Sequence, residues 1–209
     1  MVVGDTRLAL IEDFLSGEWT DTSKAIQRSI KTVCFLKKLY IDLNDEYDFV
    51  FIDNGPSLGV LNRLILLFTD GFIMPTSSDI FCLRAIENIS KAISLWKDTF
   101  NKLQDEYYNN KQQYYTLNDI KVEANPMFLG YVNQQYTSRI RSGKRQAVKA
   151  YEEIISMMPN IVKDKMKMYY PNTIDTEYLK IGEIPNFNSL IPMSQTAHKP
   201  VFKLDSKDG

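Results

Sequence analysis

The stretch YDFVFIDNGPSLG, residues 47–59, decides the fold. Its apolar run, residues 49–52, stops at Asp53, and the chain then turns through Asn, Gly and Pro. A short continuous apolar run of this kind is typical of a strand that is buried on both faces of a parallel sheet. Ligands of such sheets bind beyond the carboxyl ends of the strands, where Asp53 would emerge. The stretch therefore predicts a buried strand that delivers one carboxylate to a ligand site.

Two interpretations of Asp53 follow from the residues alone. Phosphate-handling enzymes use an aspartate at the end of an apolar strand to hold Mg²⁺, usually through water, and the loop 54–57 would then lie near a terminal phosphate. Alternatively, Asp53 only caps the next helix or closes a turn. The strand by itself favours neither interpretation.

Helix-period and strand-like segments alternate on both sides of this stretch. We expect strands at 71–75 and 127–132, and helices at 6–17, 23–43, 58–69, 80–101 and 145–158. This alternation predicts an α/β fold, with a parallel sheet flanked by helices, in a single domain over residues 1–209. The tyrosine-rich segment 103–124 has few aliphatic residues, so we expect a flexible excursion there.

Composition excludes several classes of protein. The chain has 209 residues, of which 44% are hydrophobic and 24% charged, and its net charge of -1 gives no overall attraction to nucleic acid. Two cysteines and one histidine cannot form a usual zinc site, and the cysteines lie too far apart in sequence to suggest a disulfide framework. No segment has the length of a membrane span or the layout of a signal peptide. We therefore expect a cytoplasmic protein without membrane contact.

A basic cluster stands out against this neutral background. The segment 124–151 contains no acidic residue but five basic ones: Arg139, Arg141, Lys144, Arg145 and Lys149. These side chains could neutralise DNA phosphates in a sequence-independent way. They could equally form the solvated face of the helix expected at 145–158, whose other face is apolar.

Between Tyr47 and Ile89 the sequence closely resembles the ParA-type partition ATPases, the deviant Walker branch of the P-loop NTPases related to MinD. In that family a strand with a terminal aspartate is the Walker B element, and D-x-x-P-S-L-G is the second switch loop. The loop that follows the next strand in the family is matched by a set of spaced residues, namely Pro75, Asp79, Phe81 and Leu83. Weaker similarity extends over about residues 2–204.

The resemblance implies roles for particular residues. Asp53 would be catalytic and would hold Mg²⁺ through water, beside an ATP molecule bound partly by Asn54, Gly55 and Pro56. Asn133, which follows a later strand, and Pro192 of an Ile-Pro loop would lie at the adenine base. ATP and Mg²⁺ are therefore the expected cofactors.

One departure from the family pattern changes the functional expectation. The family begins with a strand and a K-G-G-x-G-K-T loop that binds the phosphates, followed by a D-x-D-P-Q segment, and neither motif occurs in this sequence. We therefore expect a P-loop NTPase-like fold without its N-terminal strand and phosphate loop. Such a chain would be a fragment, a truncated reading frame or one half of a split protein, and would bind ATP poorly by itself.

The intact relatives suggest the wider function. The resemblance implies ATP-Mg-dependent formation of a homodimer and nonspecific DNA binding in plasmid or chromosome partition, together with a partition adaptor protein. A different class remains open. The chain could be an interaction or DNA-binding module that keeps this fold and works without nucleotide.

Overall fold

The computed structural model describes residues 6–20, 26–55, 57–77, 79–136, 138–141, 144–147 and 149–205. The chain forms two compact units, which we describe separately. The first contains Met1–Phe72, Asn88–Phe128 and Met168–Tyr170, and the second contains Ile73–Glu87, Leu129–Lys167 and Pro171–Gly209. The expectation of a single domain stays a prediction.

Helices form most of the first unit. A 3-10 turn at Thr6–Ile11 is followed by four helices: α1 (Glu12–Thr20), α2 (Ile26–Val33), α3 (Phe35–Leu43) and α4 (Val60–Phe68). The long helix α5 (Ile80–Lys111) begins in residues of the second unit and continues, from Asn88, in the first. The single helix expected at 23–43 is instead two helices in its described part. The break falls at Cys34, which caps α3 with φ -84° and ψ 7°. Hydrophobic periodicity continues across the break, so the sequence pattern did not reveal it.

Large apolar side chains hold the first unit together. Phe68 of α4 and Phe100 of α5 pack edge to face with ring centroids 5.1 Å apart, and Ile30 and Leu64 are fully buried. Burial of each such side chain stabilises the fold by about 1.5–3 kcal/mol relative to exposure. Buried side chains of α1, α2, α4 and α5 therefore contribute to the core of this unit.

A three-stranded sheet is the other main feature of the fold. It consists of β1 (Gly71–Ser77), β4 (Met127–Tyr136) and β7 (Lys180–Pro185), in the order β1-β4-β7. Strands β4 and β7 pair in parallel, with Asn133 opposite Glu183. At Gly130 the backbone has φ +140°, and a β-carbon there would collide with the carbonyl oxygen of Leu179. The sheet and its flanking helices confirm the α/β fold expected from the sequence.

The tyrosine-rich segment is more regular than predicted. Helix α5 continues to Lys111, ten residues beyond its expected end, and a short hairpin follows, formed by β2 (Thr116–Leu117) and β3 (Ile120–Lys121). Gln104, only 2% exposed, fastens the hairpin to the helix. Its Nε2 donates to the Val122 carbonyl at 2.8 Å, and its Oε1 accepts from the Tyr115 N–H at 2.9 Å. Flexibility of this segment stays a prediction.

The opening apolar run is the main disagreement with the sequence-based expectation. Residues 49–52 belong to no strand, and Phe49 and Phe51 are 79% and 89% exposed. Their rings lie on the same side of the chain, with centroids 6.4 Å apart. The prediction of a buried strand here is wrong for the described structure, because none of the described strands pairs with this segment. A segment that pairs with no neighbouring strand lacks inter-strand backbone hydrogen bonds, and its apolar side chains are not covered by a sheet.

Candidate functional site

Asp53 stands at the start of an exposed loop in the first unit. Asp53, Asn54 and Gly55 are all exposed, whereas Pro56 lies outside the described residues. Helix α4 begins at Val60 with Gly59 as its N-cap, so Asp53 does not cap that helix. No described residue forms a hydrogen bond or an ion pair with the Asp53 carboxylate. A carboxylate in this position is available to a ligand.

Asn62 in the first turns of α4 holds the loop in place. Its Nδ2 donates to the carbonyl oxygens of Gly55 and Ser57, at 3.1 and 3.0 Å, and lies 2.9 Å from the Ser57 hydroxyl oxygen. Asn62 is not among the site residues predicted from the sequence. A usable signal was present, since Asn62 and Arg63 are the only polar residues in the otherwise apolar helix VLNRLILLF.

Helix α4 is itself firmly anchored. The Arg63 guanidinium lies between two indole rings, 5.1 Å from the centroid of Trp19 and 5.2 Å from that of Trp96. Stacking of this kind favours a cation, while desolvation by burial lowers the pKa of Arg63. Leu64 and Leu67 on the same helix are fully buried. The loop is therefore fastened to a rigid element.

At the junction between loop and helix, Gly59 lies close to a side chain of α1. A β-carbon on Gly59 would collide with the Glu12 carboxylate of α1, although the backbone there, φ -60° and ψ 167°, suits any residue. Because this carboxylate is the far end of a flexible side chain, a β-carbon at residue 59 would require only that the Glu12 side chain move. Glutamate near the first turn of a helix is favoured by the helix dipole.

Asn133 and Pro192 lie in the second unit. Asn133 is buried on β4 and lines a cavity of about 30 Å³, whose other lining residues are Tyr131, Ile155, Met158, Pro159 and Lys180. This volume suits a water molecule, which needs about 10–15 Å³, and is far too small for a purine base. Pro192 is exposed in the first turn of α7 (Leu190–Ala197) and does not line the cavity. Contact of either residue with an adenine base stays a prediction.

Asp79 has a clear structural role in the second unit. It immediately precedes α5, and its carboxylate accepts hydrogen bonds from the Ser77 hydroxyl and, at 2.9 Å, from the backbone N–H of Cys82. These bonds, that from Ser77 most strongly, lower the pKa of Asp79 despite some opposing desolvation. The carboxylate is the N-terminal cap of α5.

The basic cluster lies on a hairpin that sequence reasoning did not foresee. Strands β5 (Ser138–Arg141) and β6 (Lys144–Ala147) pair antiparallel, and α6 (Lys149–Met166) begins after them. The helix expected from 145 therefore begins only at Lys149 among the described residues. Thr137, Ser142, Gly143 and Val148 lie outside the described residues. Arg141 pairs with Lys144, and Arg145 pairs with Ile140. Four of the five basic residues, Arg139, Arg141, Lys144 and Arg145, thus lie on the hairpin, and Lys149 starts the helix.

The described residues do not fit a complete Mg-nucleotide site. Among them, no three His, Cys, Asp or Glu side chains lie close enough together to hold a metal ion. Mg²⁺ on a nucleotide needs only one or two carboxylates, but it also needs bound phosphates. Asp53 can supply one such ligand, and the sequence contains no K-G-G-x-G-K-T loop for the phosphates.

In the part of the chain that the structure covers, no helix is long and apolar enough to cross a membrane.

The sheet with its flanking helices and the loop after Asp53 define an α/β, P-loop NTPase-like fold. A family model described as "AAA domain" matches residues 6–105, which include Asp53, Asn62 and Asp79. The match covers slightly less than half of the chain. The fold is shared with the crystal structure of protein DIP2308 from Corynebacterium diphtheriae, with a TM-score of 0.66 and 22% identity over 89% of this chain and 60% of that one.

Two relatives found by sequence have either low identity to this chain or similarity to only a short part of it. An uncharacterized protein of Methanocaldococcus jannaschii, MJECL24, is 24% identical over 173 residues, which are 83% of this chain and 50% of the relative. The Mycobacterium tuberculosis protein Rv1708, also uncharacterized, is 39% identical over 61 residues, 29% of this chain and 19% of its own length. The chain thus spans half the length of the first relative and a smaller part of the second.

Proposed function

We propose that the chain contributes the Walker B and switch-loop part of a ParA-type ATPase that acts in the cytoplasm in plasmid or chromosome partition. The observation that carries the proposal is the Asp53 carboxylate, exposed and without a described partner, at the head of a loop that Asn62 holds. This arrangement lies within the residues that match the AAA domain model. The proposal includes ATP and Mg²⁺ as cofactors, a homodimer, and a partition adaptor as partner.

In this proposal the residues of this chain hold the Mg²⁺ ion and orient the nucleotide. Asp53 would hold a Mg²⁺ ion through water, and Asn54, Gly55 and Pro56 would lie beside the nucleotide. When bound, the ion would neutralise phosphate charge. Asn133 and Pro192 would contact the base after a rearrangement that opens the cavity beside Asn133. Groups that cradle the phosphates would have to come from outside the described residues, so turnover by this chain alone should be negligible.

DNA binding is the second part of the proposal. The hairpin β5–β6 brings Arg139, Arg141, Lys144 and Arg145 into one short element, and Lys149 follows at once. We expect the triple variant Arg139→Ala/Arg141→Ala/Arg145→Ala to weaken duplex binding equally for all sequences and to flatten its salt dependence. Fluorescence anisotropy at several salt concentrations measures both. Unchanged binding would assign the cluster to a solvated surface.

A nucleotide-independent interaction module is the second candidate function. The exposed apolar segment 49–52 favours it, because large exposed apolar side chains in a row are unusual on a surface without a partner. Such a module would keep the fold while binding a protein or DNA without ATP.

Ligand-dependent stability separates the two functions. A ligand that binds only the folded state raises the melting temperature, by an amount set by its concentration relative to its Kd. The ATPase proposal expects Mg-ATP at millimolar concentration to raise the melting temperature once a K-G-G-x-G-K-T segment is supplied in cis or in trans, and ATP turnover to appear with it. No shift and no turnover in the supplemented protein, with DNA binding retained, would instead establish the nucleotide-independent module.

A further inference from the structure

In the described part of the loop 53–59, three of the four hydrogen-bond contacts that involve a side chain come from Asn62, and the fourth runs from the Gly59 N–H to the Ser57 hydroxyl oxygen at 3.4 Å. Between described residues we find no backbone–backbone hydrogen bond within 48–58, and α4 begins its backbone bonding only with the Arg63 N–H donating to the Gly59 carbonyl. Pro56, in the middle of the loop, has no N–H to donate. Among the described residues, the bonds from Asn62 to Gly55 and Ser57 are therefore the hydrogen bonds that tie the loop to the body of α4.

The chemistry of these bonds fixes the orientation of the Asn62 amide. The groups at Gly55 and Ser57 that face its Nδ2 include two backbone carbonyl oxygens, which can only accept. The amide nitrogen, and not its oxygen, must therefore point into the loop. An aspartate at the same position would place an oxygen against two carbonyl oxygens and would repel them.

Helix α4, which carries Asn62, is held firmly in the core. Asn62 shares α4 with Arg63, whose guanidinium is stacked between Trp19 and Trp96, and with the fully buried Leu64. Because the helix cannot move easily, the position of its amide group sets the position of the loop. The loop in turn begins at Asp53, two residues before the first bonded carbonyl.

We propose that Asn62 is a positioning residue that fixes the loop Asn54–Gly59 and so places the Asp53 carboxylate for its ligand. This inference rests on the proposed ATPase function for the identity of the ligand, a Mg-nucleotide. The positioning of the loop by Asn62 is a separate claim and can be tested without nucleotide.

The experiment uses the whole chain, labelled with ¹⁵N, and the isosteric variant Asn62→Asp. We expect the amide order parameters of Gly55, Ser57 and Leu58 to fall from about 0.85 to below about 0.6 in the variant. The indole N–H signals of Trp19 and Trp96, the protein's two tryptophans, should stay in place because α4 remains packed. The same substitution at Asn101, exposed on α5, is the matched control and should leave the loop unchanged.

Two results would overturn the proposal. One is a loop that stays as rigid in Asn62→Asp as in the unmodified chain. The other is a loop that loosens only together with loss of both indole signals, which would make Asn62 a residue of general stability.

A second arm separates this inference from the proposed function. Mg-ATP is titrated into both proteins, each supplied with a K-G-G-x-G-K-T segment in cis or in trans, and the amide shifts of Gly55 and Gly59 are followed. If Asn62 positions the ligand site, half-saturation should require roughly tenfold more Mg-ATP in Asn62→Asp, while the indole signals stay unchanged. Equal titrations would overturn the placement of Asp53. If neither protein shows any shift with Mg-ATP, but the loop is loosened in the variant, the proposed ATPase function is overturned. The claim that Asn62 positions the loop would then still stand.

Discussion

Asp53 and Asp79 each follow an apolar segment and precede a helix, yet their surroundings differ. Asp79 directly precedes α5 and accepts hydrogen bonds from Ser77 and Cys82, which lower its pKa. Asp53 lies seven residues before Val60, the first residue of α4, is exposed, and has no partner among the described residues. The same side chain thus serves the fold in one loop and is left available in the other.

The difference shows what separates a structural from a functional carboxylate. A carboxylate whose oxygens are satisfied by its own chain stabilises that local structure and has little left to offer a ligand. A carboxylate held near a helix but not bonded to it can bind a cation without first breaking internal bonds. Position after an apolar run is common to both and does not distinguish them.

The largest effect that we expect is loss of ATP turnover in Asp53→Ala. Measured in a protein that carries the phosphate loop, turnover should fall by roughly 100-fold or more, because a misplaced Mg²⁺ no longer neutralises phosphate charge in the transition state. The free energy of unfolding should change by less than about 0.5 kcal/mol, since Asp53 is exposed.

The control for this prediction is Asp105→Ala, another exposed aspartate, which lies on α5. It should retain full turnover. Full turnover in Asp53→Ala would remove the Walker B assignment, and collapse of its fold would assign Asp53 a structural role like that of Asp79.

Removal of the cap at Asp79 should have the next largest effect. Asp79→Ala leaves the Cys82 N–H without its partner, and loss of such a cap costs about 1 kcal/mol. For a chain of this size the melting temperature should fall by about 2–4 °C. Thermal unfolding followed by circular dichroism measures this, and an unchanged midpoint would show that the cap does not stabilise α5.

The lowered pKa of Asp79 predicts a smaller effect, on acid stability. The unfolded chain takes up a proton near pH 3.9 and the folded chain only at lower pH, so the bonds of Asp79 contribute stability above about pH 3.9. That contribution is lost as the pH falls through the folded pKa. The gap between the urea midpoints of the protein and of Asp79→Asn should therefore be widest at neutral pH and should narrow below about pH 4. A gap independent of pH would contradict the assignment.

The sequence predicted the α/β fold and most helices because these depend on hydrophobic periodicity, which is local. It did not predict the break at Cys34 or the continuation of α5 to Lys111, since the first interrupts no pattern and the second depends on buried contacts such as those of Gln104. The resemblance placed Asp53 at the end of a strand, whereas the structure has it in an exposed segment that none of the described strands pairs with. Asn62 was missed because its role comes from hydrogen bonds to loop carbonyls, which a residue pattern does not encode.

The smallest effect on stability is expected in residues 49–52, the apolar segment that was predicted to be a strand and is not one in the structure. Phe51→Ser should change the free energy of unfolding by less than about 0.5 kcal/mol, because its ring is 89% exposed. The matched control is Phe128→Ser on β4, whose ring is fully buried and whose removal should cost at least about 3 kcal/mol. Urea unfolding of both variants gives the comparison, and sedimentation velocity should show weaker self-association in Phe51→Ser, since exposed apolar segments with free backbone groups promote it. Equal destabilisation by the two substitutions would mean that residues 49–52 are buried in solution, and the strand predicted from the sequence would then be correct.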